Sequence, residues 1–426
     1  MQNNPPIPSA FLEVVAPLLG EELPSFLSAL DQPSTRAARV NRLRGEALRH
    51  CAPFLDEVVP WCPDGYYLKE GARPGATIAH ELGAMYLQEA SAMTAARVLD
   101  ARPGERILDL CAAPGGKSGQ IAADLNGQGL LIANEIVPSR AKLLKENLER
   151  LGAWNAVAVN ASPDALAKRW EEAFDAVLVD APCSGEGMFR REPAARAEWS
   201  PDAPKGCARR QAEILDSAAR LVRPGGRLVY STCTFNQTED EGSVEAFLLR
   251  HGDFAPEDFS LPGLGKSKDG MLRVWPHRVR GDGHFVAKLI KRGDGGKACE
   301  TVERDGTLQP FLARLKDEVC LPPDGVLIRQ GDYVHLLPYG TPSLKGVRVV
   351  KPGLELMRVG RSHIQPLYAL ARASGVKPRR VMEIDEALTD RIRRGEKPKL
   401  TGANPGWTLL TWEGLPVAYW KIGRED

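Results

Sequence analysis

The sequence lacks the features that identify several protein classes. Its eight cysteines are spread over 426 residues without a C-x-x-C pair, so it has neither zinc-ligand spacing nor a dense disulfide framework. No apolar run approaches the ~18 residues of a membrane-spanning helix. The N-terminus, MQNNPPIPSAF, has no basic start or long apolar stretch of a secretory signal. We therefore expect reduced thiols, a cytoplasmic location, and neither a metal nor a membrane partner.

Net charge is also lacking, because 56 lysines and arginines oppose 55 aspartates and glutamates. This balance argues against a uniformly basic nucleic-acid binder, but it conceals an uneven distribution. Residues 343–400 carry 14 basic and six acidic side chains, a net charge of +8. Arg36, Arg39, Arg42 and Arg44 form a second basic cluster. Both segments are predicted to supply positive charge for gripping an RNA backbone.

The length of the chain predicts two or three domains, at ~150 residues each. Residues 1–75 have helical apolar spacing that Pro24 interrupts, and they are predicted to form a small helical, RNA-binding domain. Residues 76–292 alternate strands and helices, as a catalytic domain would. After the Gly-rich stretch 291–300, residues 300–426 show short apolar runs broken by Gly and Pro. This last part is predicted to be a small α+β or barrel-like domain.

The central part predicts a parallel sheet. Strands are expected at residues 106–110, 129–134, 156–159, 176–180 and 227–232. Amphipathic segments separate them, and one of these carries Leu143, Leu144, Leu148 and Leu151 on a single face before Gly152. Such crossover units cover both faces of the sheet, which makes the fold Rossmann-like α/β. Ligands of open α/β sheets bind beyond the carboxyl ends of the strands.

The segment LDLCAAPGGKS (108–118) follows a strand and opens a helix, so its small residues allow a ligand to approach the backbone. It is not a Walker loop, because Cys111 stands where the first glycine is needed. A dinucleotide fingerprint fails at Ile132. Glu135, at the end of the next strand, can accept hydrogen bonds from ribose hydroxyls. This layout is expected for S-adenosylmethionine, and the alternative is a glycine-rich turn that only connects strand to helix.

Two further strands end in reactive groups. VLVDAPCSGEGMFRR (177–191) brings Asp180 and Cys183 to a strand end, and GGRLVYSTCTFNQTEDE (225–241) brings Cys233. Carbon 5 of cytosine becomes nucleophilic when a thiolate adds to carbon 6, which is covalent catalysis. The reaction also needs a hydrogen-bond partner at ring nitrogen 3 and a base that removes the carbon-5 proton. Two cysteines and a carboxylate beside a sulfonium cofactor meet these requirements.

These motifs resemble those of a known family. LDLCAAPGGK, VDAPCSGEGMFRR and YSTCTFNQTEDE resemble the Sun-type RNA 5-methylcytosine methyltransferases, and within them the bacterial RsmF group, which modifies small-subunit ribosomal RNA. The resemblance extends to QEAS (88–91) and WPHRVRGDGHFVAKLIK (275–291). KGVRVVKPGLELMRVGRSHIQP (345–366) resembles that group's PUA-like RNA-binding tail. The implied architecture is a methyltransferase sheet with a small N-terminal domain and a C-terminal α+β PUA-like domain.

The resemblance implies roles for individual residues. Cys233 would be the nucleophile, Cys183 would act in product release, and Asp180 would hydrogen-bond the cytosine. Lys117 would either sit in the active site or only charge the cleft. Ser162 stands where many relatives carry an aspartate near the adenine. The implied cofactor-binding residues are Cys111, Ala112, Ala113, Pro114, Gly115, Gly116, Lys117, Glu135, Ser162 and Asp180.

The function implied is transfer of a methyl group from S-adenosylmethionine to carbon 5 of cytosine in RNA, with 16S ribosomal RNA as the expected partner. A transfer RNA methyltransferase and a catalytically weak RNA-binding ribosome-assembly factor stay open. A small-molecule or protein methyltransferase would leave the cysteines and the basic tail without a role. The acidic run 239–241 is predicted to be a solvated helix start. His277 and His284 are expected to have structural or RNA-facing roles.

Overall fold

The computed structural model describes residues 5–297, 299–321, 323–360, 363–402 and 404–424. Within these ranges, no helix is both long and apolar enough to cross a bilayer. Single-turn 3-10 helices lie at Gly20–Glu22, Ala52–Phe54, Pro74–Ala76, Ser91–Met93, Glu186–Arg190 and Gly306–Leu308. The other elements are given below in three successive parts of the chain.

The N-terminal part combines short helices with a sheet. Its elements are α1 (Ser9–Leu19), α2 (Leu23–Leu30), β1 (Ala37–Val40), α3 (Ala47–Cys51), β2 (Leu55–Val58), β3 (Gly65–Leu68), α4 (Ile78–Glu81) and β4 (Met85–Leu87). The strands pair antiparallel in the order β2-β3-β1-β4. The sequence predicted helices but not this sheet. Pro24 lies in the first turn of α2, where proline is tolerated, so it does not end the helical pattern.

The central part is the doubly wound α/β unit that the sequence predicted. Its elements are α5 (Thr94–Leu99), β5 (Arg106–Asp109), α6 (Gly116–Asp124), β6 (Leu130–Asn134), α7 (Pro138–Leu151), β7 (Ala156–Val159), α8 (Pro163–Ala167), β8 (Phe174–Asp180), α9 (Pro193–Glu198), α10 (Asp202–Leu221), β9 (Val222–Thr232), α11 (Glu241–Arg250), β10 (Phe254–Pro256), β11 (Ser260–Leu261), β12 (Gly265–Lys266), β13 (Met271–Val274) and β14 (His284–Lys291). Strands β7-β6-β5-β8-β9 run parallel in that order, and β14 joins β9 antiparallel. The predicted α/β fold class is confirmed.

Helix α7 shows how the sequence sets this packing. Leu144, Leu148 and Leu151 are buried, as their spacing predicted. Leu143 was assigned to the same face, which is wrong, since 45% of it is exposed. Gly152 ends the helix with a φ of +77°, and a β-carbon there would come within 2.3 Å of the Arg372 carbonyl oxygen. The turn therefore requires glycine both for its backbone conformation and for space.

The C-terminal part mixes helices with strands that pair antiparallel, except that β22 runs parallel to β23. Its elements are α12 (Gln309–Glu318), β15 (Cys320–Leu321), β16 (Val326–Gln330), β17 (Tyr333–Leu337), β18 (Val349–Lys351), β19 (Leu354–Val359), β20 (Ile364–Pro366), α13 (Tyr368–Arg372), β21 (Lys377–Pro378), β22 (Val381–Glu383), α14 (Glu386–Arg393), β23 (Gly406–Trp412) and β24 (Leu415–Ile422). One sheet has the order β16-β17-β19-β20 and another the order β22-β23-β24. The α+β character agrees with the sequence, and a PUA-like fold stays a prediction.

The C-terminal part is joined directly to the central sheet. Strand β18 pairs antiparallel with β7 and extends the sheet by one edge strand. Beneath this junction, the Lys351 ammonium is 2% exposed and donates to the carbonyl oxygens of Ala153, Ala156 and Gly353 at 3.1, 2.9 and 2.6 Å. Burial lowers the pKa of Lys351 to about 8. The division at residues 75 and 300 stays a prediction, since β4 and β18 join sheets across those positions.

Part of the basic charge assigned to RNA is buried. Arg39 donates to the carbonyl oxygen of Gly116 at 3.1 Å, and Arg44 to that of Arg150 at 3.2 Å. Arg372 donates to the carbonyl oxygen of Glu81 at 2.8 Å. These arginines and Lys351 join the three parts of the chain, so their assignment to an RNA-gripping surface is wrong. Arg361, which was counted with them, lies outside the described residues.

The Lys351 junction can be tested by K351M. Methionine matches the length of the side chain but leaves three buried carbonyl oxygens without their donor, so we expect the free energy of unfolding to fall by ~3 kcal/mol. Urea denaturation would measure the loss. K345M is the matched control: Lys345 is 89% exposed, and we expect a change within ~0.5 kcal/mol. Equal stability of K351M and the unsubstituted protein would contradict the role of this lysine.

The lowered pKa of Lys351 also predicts how its contribution to stability changes with pH. The folded protein releases the Lys351 proton near pH 8, whereas the unfolded chain holds it up to its ordinary pKa of 10.5. The unfolded state therefore binds more protons between these values, and the stability contributed by Lys351 rises with pH. We expect the stability gap between the unsubstituted protein and K351M to widen from pH 8 to pH 10.5. A gap that narrows there would contradict the lowered pKa.

Candidate active site

The predicted reactive residues meet at the carboxyl edge of the central sheet. Asp180 is the last residue of β8, Cys183 lies in the turn that follows, and Cys233 comes directly after β9. Since β8 and β9 are neighbouring parallel strands, both turns leave the sheet at the same edge. Two side chains that are 50 residues apart in sequence are thereby placed side by side.

The two cysteine sulfur atoms are in contact. The Sγ atoms of Cys183 and Cys233 lie 3.3 Å apart, and both residues are partly exposed. The hydrogen bond with Cys233 and burial raise the pKa of the Cys183 thiol well above its ordinary value. The Cys183 thiol therefore holds its proton more firmly than an isolated thiol does.

Asp180 is paired before any substrate is present. Lys117 Nζ donates to its Oδ2 at 2.7 Å, and Ser231 Oγ donates to its Oδ1 at 2.8 Å. Burial acts to raise the pKa of Asp180, but the Lys117 ammonium and its hydrogen bonds outweigh burial and hold that pKa below its usual value. The carboxylate in turn raises the pKa of Lys117 despite burial. Lys117 thus contacts Asp180 at this edge of the sheet, and its role in the reaction stays a prediction.

A buried glutamate holds the turn that carries Cys183. Glu239 accepts hydrogen bonds from the Ser184 backbone N–H at 3.0 Å, from Gln211 Nε2 at 2.8 Å and from Asn236 Nδ2 at 2.8 Å. Burial raises the pKa of Glu239, while these donors act to lower it. The carboxylate links the turn after β8 to helix α10 and to the loop after β9.

A second buried glutamate holds the loop after Cys233. Glu186 accepts from the Phe235 backbone N–H at 2.7 Å, from Asn236 Nδ2 at 2.9 Å and from Trp199 Nε1 at 3.1 Å. Asn236 donates to both glutamates, so the two carboxylates form one network. The network lies beneath the cysteines and fixes both turns relative to each other.

The acidic run 239–241 was predicted to be solvated, and that prediction is wrong. Glu239 and Asp240 are fully buried. Asp240 accepts from Thr232 Oγ1 at 2.6 Å and pairs with Arg273 at 2.9 Å, while burial raises its pKa well above the usual value. A run of acidic residues is usually assigned to the surface, because the sequence does not show the distant hydrogen-bond donors that allow a carboxylate to be buried.

A cavity of about 1070 Å³ opens beside the cysteines, along the ends of β5, β6 and β8. Of the predicted cofactor residues, its lining includes Cys111, Ala113, Glu135, Ser162 and Asp180. Glu135 is 3% exposed, and its Oε1 accepts from the Val137 backbone N–H at 2.8 Å. Ser162 Oγ accepts from the Ala165 N–H at 3.3 Å and thereby caps helix α8.

A second cavity, of about 300 Å³, shares Asp180 and Cys233 with the first. Of the predicted residues, its lining includes Cys111, Ala112, Ala113, Pro114, Gly116, Lys117 and Asp180. Gly115, with a φ of +110°, turns the chain into α6. Every member of the predicted loop is thus placed at this edge of the sheet.

Asp109 also lines the second cavity and was missed by the sequence analysis. Its Oδ2 accepts from Ser118 Oγ at 2.6 Å, whereas its buried Oδ1 has no hydrogen-bond partner in the part of the chain that the structure describes. Burial raises the pKa of Asp109 to about 7. The sequence signal that could have identified Asp109 is its position as an acidic residue at the end of the strand that precedes the loop. Among the described residues, no cluster of three or more His, Cys, Asp or Glu side chains could hold a metal ion.

Family models match three consecutive parts of the chain. Residues 96–290 match the model of 16S rRNA methyltransferase RsmB/F. Residues 7–90 match the N-terminal domain of 16S rRNA methyltransferase RsmF, and residues 311–373 match the first C-terminal domain of RsmF rRNA methyltransferase.

Solved structures share the fold. The crystal structure of PH0851 superimposes with a TM-score of 0.62 and 31% identity, over 67% of this chain and 66% of that one. A methyltransferase homolog from Pyrococcus horikoshii gives a TM-score of 0.58 and 29% identity, over 66% of this chain and 94% of that one. NSun6 from Pyrococcus horikoshii with SFG gives 0.59 at 24% identity, over 67% and 99%, which shows a common fold.

Curated relatives extend the match. Ribosomal RNA small subunit methyltransferase F of Cronobacter sakazakii is 39% identical over 304 residues, and the match spans 67% of this chain and 63% of the relative. The chain thus spans less than two thirds of that relative. The protein of the same name from Shewanella loihica is 33% identical over 429 residues, which cover 93% of this chain and 88% of the relative. The chain therefore belongs to the RsmF family of 16S ribosomal RNA methyltransferases.

Proposed function

We propose that this protein transfers a methyl group from S-adenosylmethionine to carbon 5 of a cytosine in RNA of the small ribosomal subunit. The observation that carries the proposal is the contact of the Cys183 and Cys233 sulfurs beside the Asp180–Lys117 ion pair. A cytoplasmic location follows from this substrate, since ribosomal subunits are found there. We infer that the RNA is ribosomal from the family to which the chain belongs.

The cavities fit the proposed cofactor. The larger one has room for a nucleoside, and Glu135, which lines it, is assigned to accept hydrogen bonds from the ribose hydroxyls. The hydroxyl of Ser162 lies in the same lining and is assigned to the adenine end. The orphaned Oδ1 of Asp109 is suited to a cationic amino group. The cofactor supplies an electrophilic methyl group on a sulfonium.

Cys233 is assigned as the nucleophile. Its sulfur lies 3.3 Å from that of Cys183, and its charge interacts favourably with the Lys117 ammonium. When the thiolate bonds to carbon 6 of the cytosine, the electrons of the 5,6 double bond move toward carbon 5, which becomes nucleophilic. Negative charge also develops near ring nitrogen 3, where Asp180 and Lys117 are assigned to hold the ring and stabilise that charge.

Cys183 is assigned to product release. The carbon-5 proton must be removed so that the double bond forms again and the sulfur of Cys233 leaves. Cys183 is the titratable side chain in contact with that sulfur. Its raised pKa means that the thiol holds its proton at rest. After Cys233 has bonded to carbon 6, Cys183 gives that proton to solvent, and the resulting thiolate is a strong base that takes the carbon-5 proton. One cysteine therefore attacks, and its neighbour accepts the proton.

RNA backbone contacts are assigned to basic residues that remain exposed. Arg394 is 75% exposed, whereas Arg393 is held by Glu81 and Asp390. Arg379 is exposed at the surface next to α12, where its Nε donates to the Lys316 carbonyl oxygen. These two exposed arginines keep donors available for phosphate oxygens. Both belong to the basic segment 343–400 that the sequence assigned to RNA, and the assignment is kept for them but not for its buried arginine and lysine.

The covalent mechanism can be tested with tritiated S-adenosylmethionine. We expect methylation of small-subunit RNA, but not of transfer RNA, by the unsubstituted protein, and loss of methylation in C233A because no thiolate attacks carbon 6. RNA that carries 5-fluorocytosine should give a covalent adduct on a denaturing gel, absent in C233A. C183A should accumulate an adduct with ordinary RNA, since release fails.

C299A is the matched control, because Cys299 is a partly exposed cysteine outside the site. We expect it to methylate RNA and release product like the unsubstituted protein. Methylation that persists in C233A would rule out Cys233 as the nucleophile. Methylation of transfer RNA in preference to small-subunit RNA would overturn the substrate assignment.

The surface assignment can be tested by reversing charge. For R379E/R394E we expect weaker RNA binding and a slope of log affinity against log salt that is smaller by roughly two, one for each phosphate contact. Fluorescence anisotropy at several salt concentrations measures both. K266E is the control, because Lys266 is equally exposed on the β11–β12 hairpin. An unchanged slope in the double variant would show that these arginines do not touch the RNA backbone.

A further inference from the structure

The second cavity contains a buried histidine. His284 begins β14, is 3% exposed and lines the cavity together with Lys117 and Asp180. Apart from the backbone of the adjacent Gly283, its ring nitrogens have no hydrogen-bond partner among the described residues. An unpaired buried polar group costs free energy, so its presence in a functional cavity indicates a partner from outside the chain.

The surroundings of His284 define what that partner can be. Its Nε2 lies 3.7 Å from Asp180 Oδ1, beyond hydrogen-bond distance, and Ser231 and Lys117 already donate to Asp180. Burial and the charge of Lys117 lower the pKa of His284 to about 3. The imidazole is therefore neutral near physiological pH, with one nitrogen that donates and one that accepts. A neutral partner that presents polar atoms therefore suits the His284 imidazole better than a charged partner does.

The volume and lining of the second cavity are compatible with a pocket for a single base. At about 300 Å³ it is much smaller than the first cavity, and Cys233 forms part of its wall. Enzymes that modify a base extrude the nucleotide into a close-fitting pocket and read its polar edge by hydrogen bonds. In a pyrimidine, carbon 6 and the edge that carries nitrogen 3 lie on opposite sides of the ring. When carbon 6 faces Cys233, that edge faces away from the sulfur.

We propose that His284 hydrogen-bonds the polar edge of the target cytosine, beside Asp180, while Cys233 faces carbon 6. This inference rests on the proposed function and adds a substrate contact to it. The neighbouring positions of His284 and Asp180 let them contact adjacent atoms of one pyrimidine edge. The cytosine edge offers both acceptors and an amino donor, which matches the donor and acceptor of a neutral imidazole.

The test is H284F, which keeps a buried aromatic ring but removes both nitrogens. We expect kcat/KM for methylation of cytosine in RNA to fall roughly tenfold to a hundredfold, the effect of a lost buried hydrogen bond. The Kd for S-adenosylmethionine, measured by calorimetry, should be unchanged. Because the imidazole is neutral, the activity ratio of H284F to the unsubstituted protein should not vary across the neutral pH range. H284N, which retains a donor and an acceptor, should lose less.

H335F is the matched control. His335 on β17 is also buried, has no partner for either ring nitrogen among the described residues, and has its pKa lowered by burial to about 4. It lies in the C-terminal sheet, so its replacement should leave methylation unchanged. An equal loss in H335F and H284F would show general destabilisation and overturn the proposal.

The remaining outcomes distinguish a failure of the proposed function from a failure of the role assigned to His284. If the unsubstituted protein does not methylate cytosine, the proposed function fails. If it does and H284F is equally active, only the role of His284 fails. A loss of cofactor affinity in H284F that accounts for its lower activity would place the imidazole against the methionine end of the cofactor, which also overturns the proposal. If H284F does not fold, H284N and H284A replace it in the test. Full activity of H284A would contradict the contact. An activity that falls from the unsubstituted protein to H284N, and falls again in H284A, would support it.

Discussion

Two buried carboxylates hold the two cysteine turns in contact, and the reactivity of the site depends on them. Glu186 and Glu239 share Asn236 as a donor and tie the turn after β8 to the loop after β9. Burying a carboxylate costs several kcal/mol unless hydrogen bonds compensate for the lost water. Here each glutamate accepts several, so neither loop can move without leaving a buried charge unpaired. The 3.3 Å sulfur contact is therefore a product of the network beneath it.

The N-terminal helices support the same loops from outside. Their aromatic side chains pack into one cluster with residues near the cysteines. The cluster contains Phe11, Val15, Leu19, Phe26, Leu30, Phe189, Trp199, Phe235 and Trp275. Phe235 is two residues from Cys233, and its ring stacks on Trp275 at 5.5 Å and meets the edge of Phe26 at 5.2 Å. Helices α1 and α2 thus help to hold the loop that follows Cys233.

The sequence predicts what local patterns determine. Continuous apolar strands and helical spacing place Asp180, Cys183 and Cys233 at one edge of a sheet, because parallel strands share the direction of their carboxyl ends. It does not reveal pairing between distant segments, so the N-terminal sheet and the β7–β18 junction were missed. It also does not show which charges are buried: Glu239 and Lys351 look like surface residues until their partners are seen. His284 belongs to this group, since its importance depends on the absence of a partner in the fold.

Strand β18 joins the C-terminal part of the protein to the central sheet. Because it is hydrogen-bonded to β7, the C-terminal part is attached to the central sheet by strand pairing and not only by the chain that leads into it. Under the proposed function, RNA held by Arg379 and Arg394 would be bound by a part of the protein that is paired with the central sheet. The spacing between that RNA contact and Cys233 would then contribute to the choice of the cytosine, in addition to the contacts that the base itself makes.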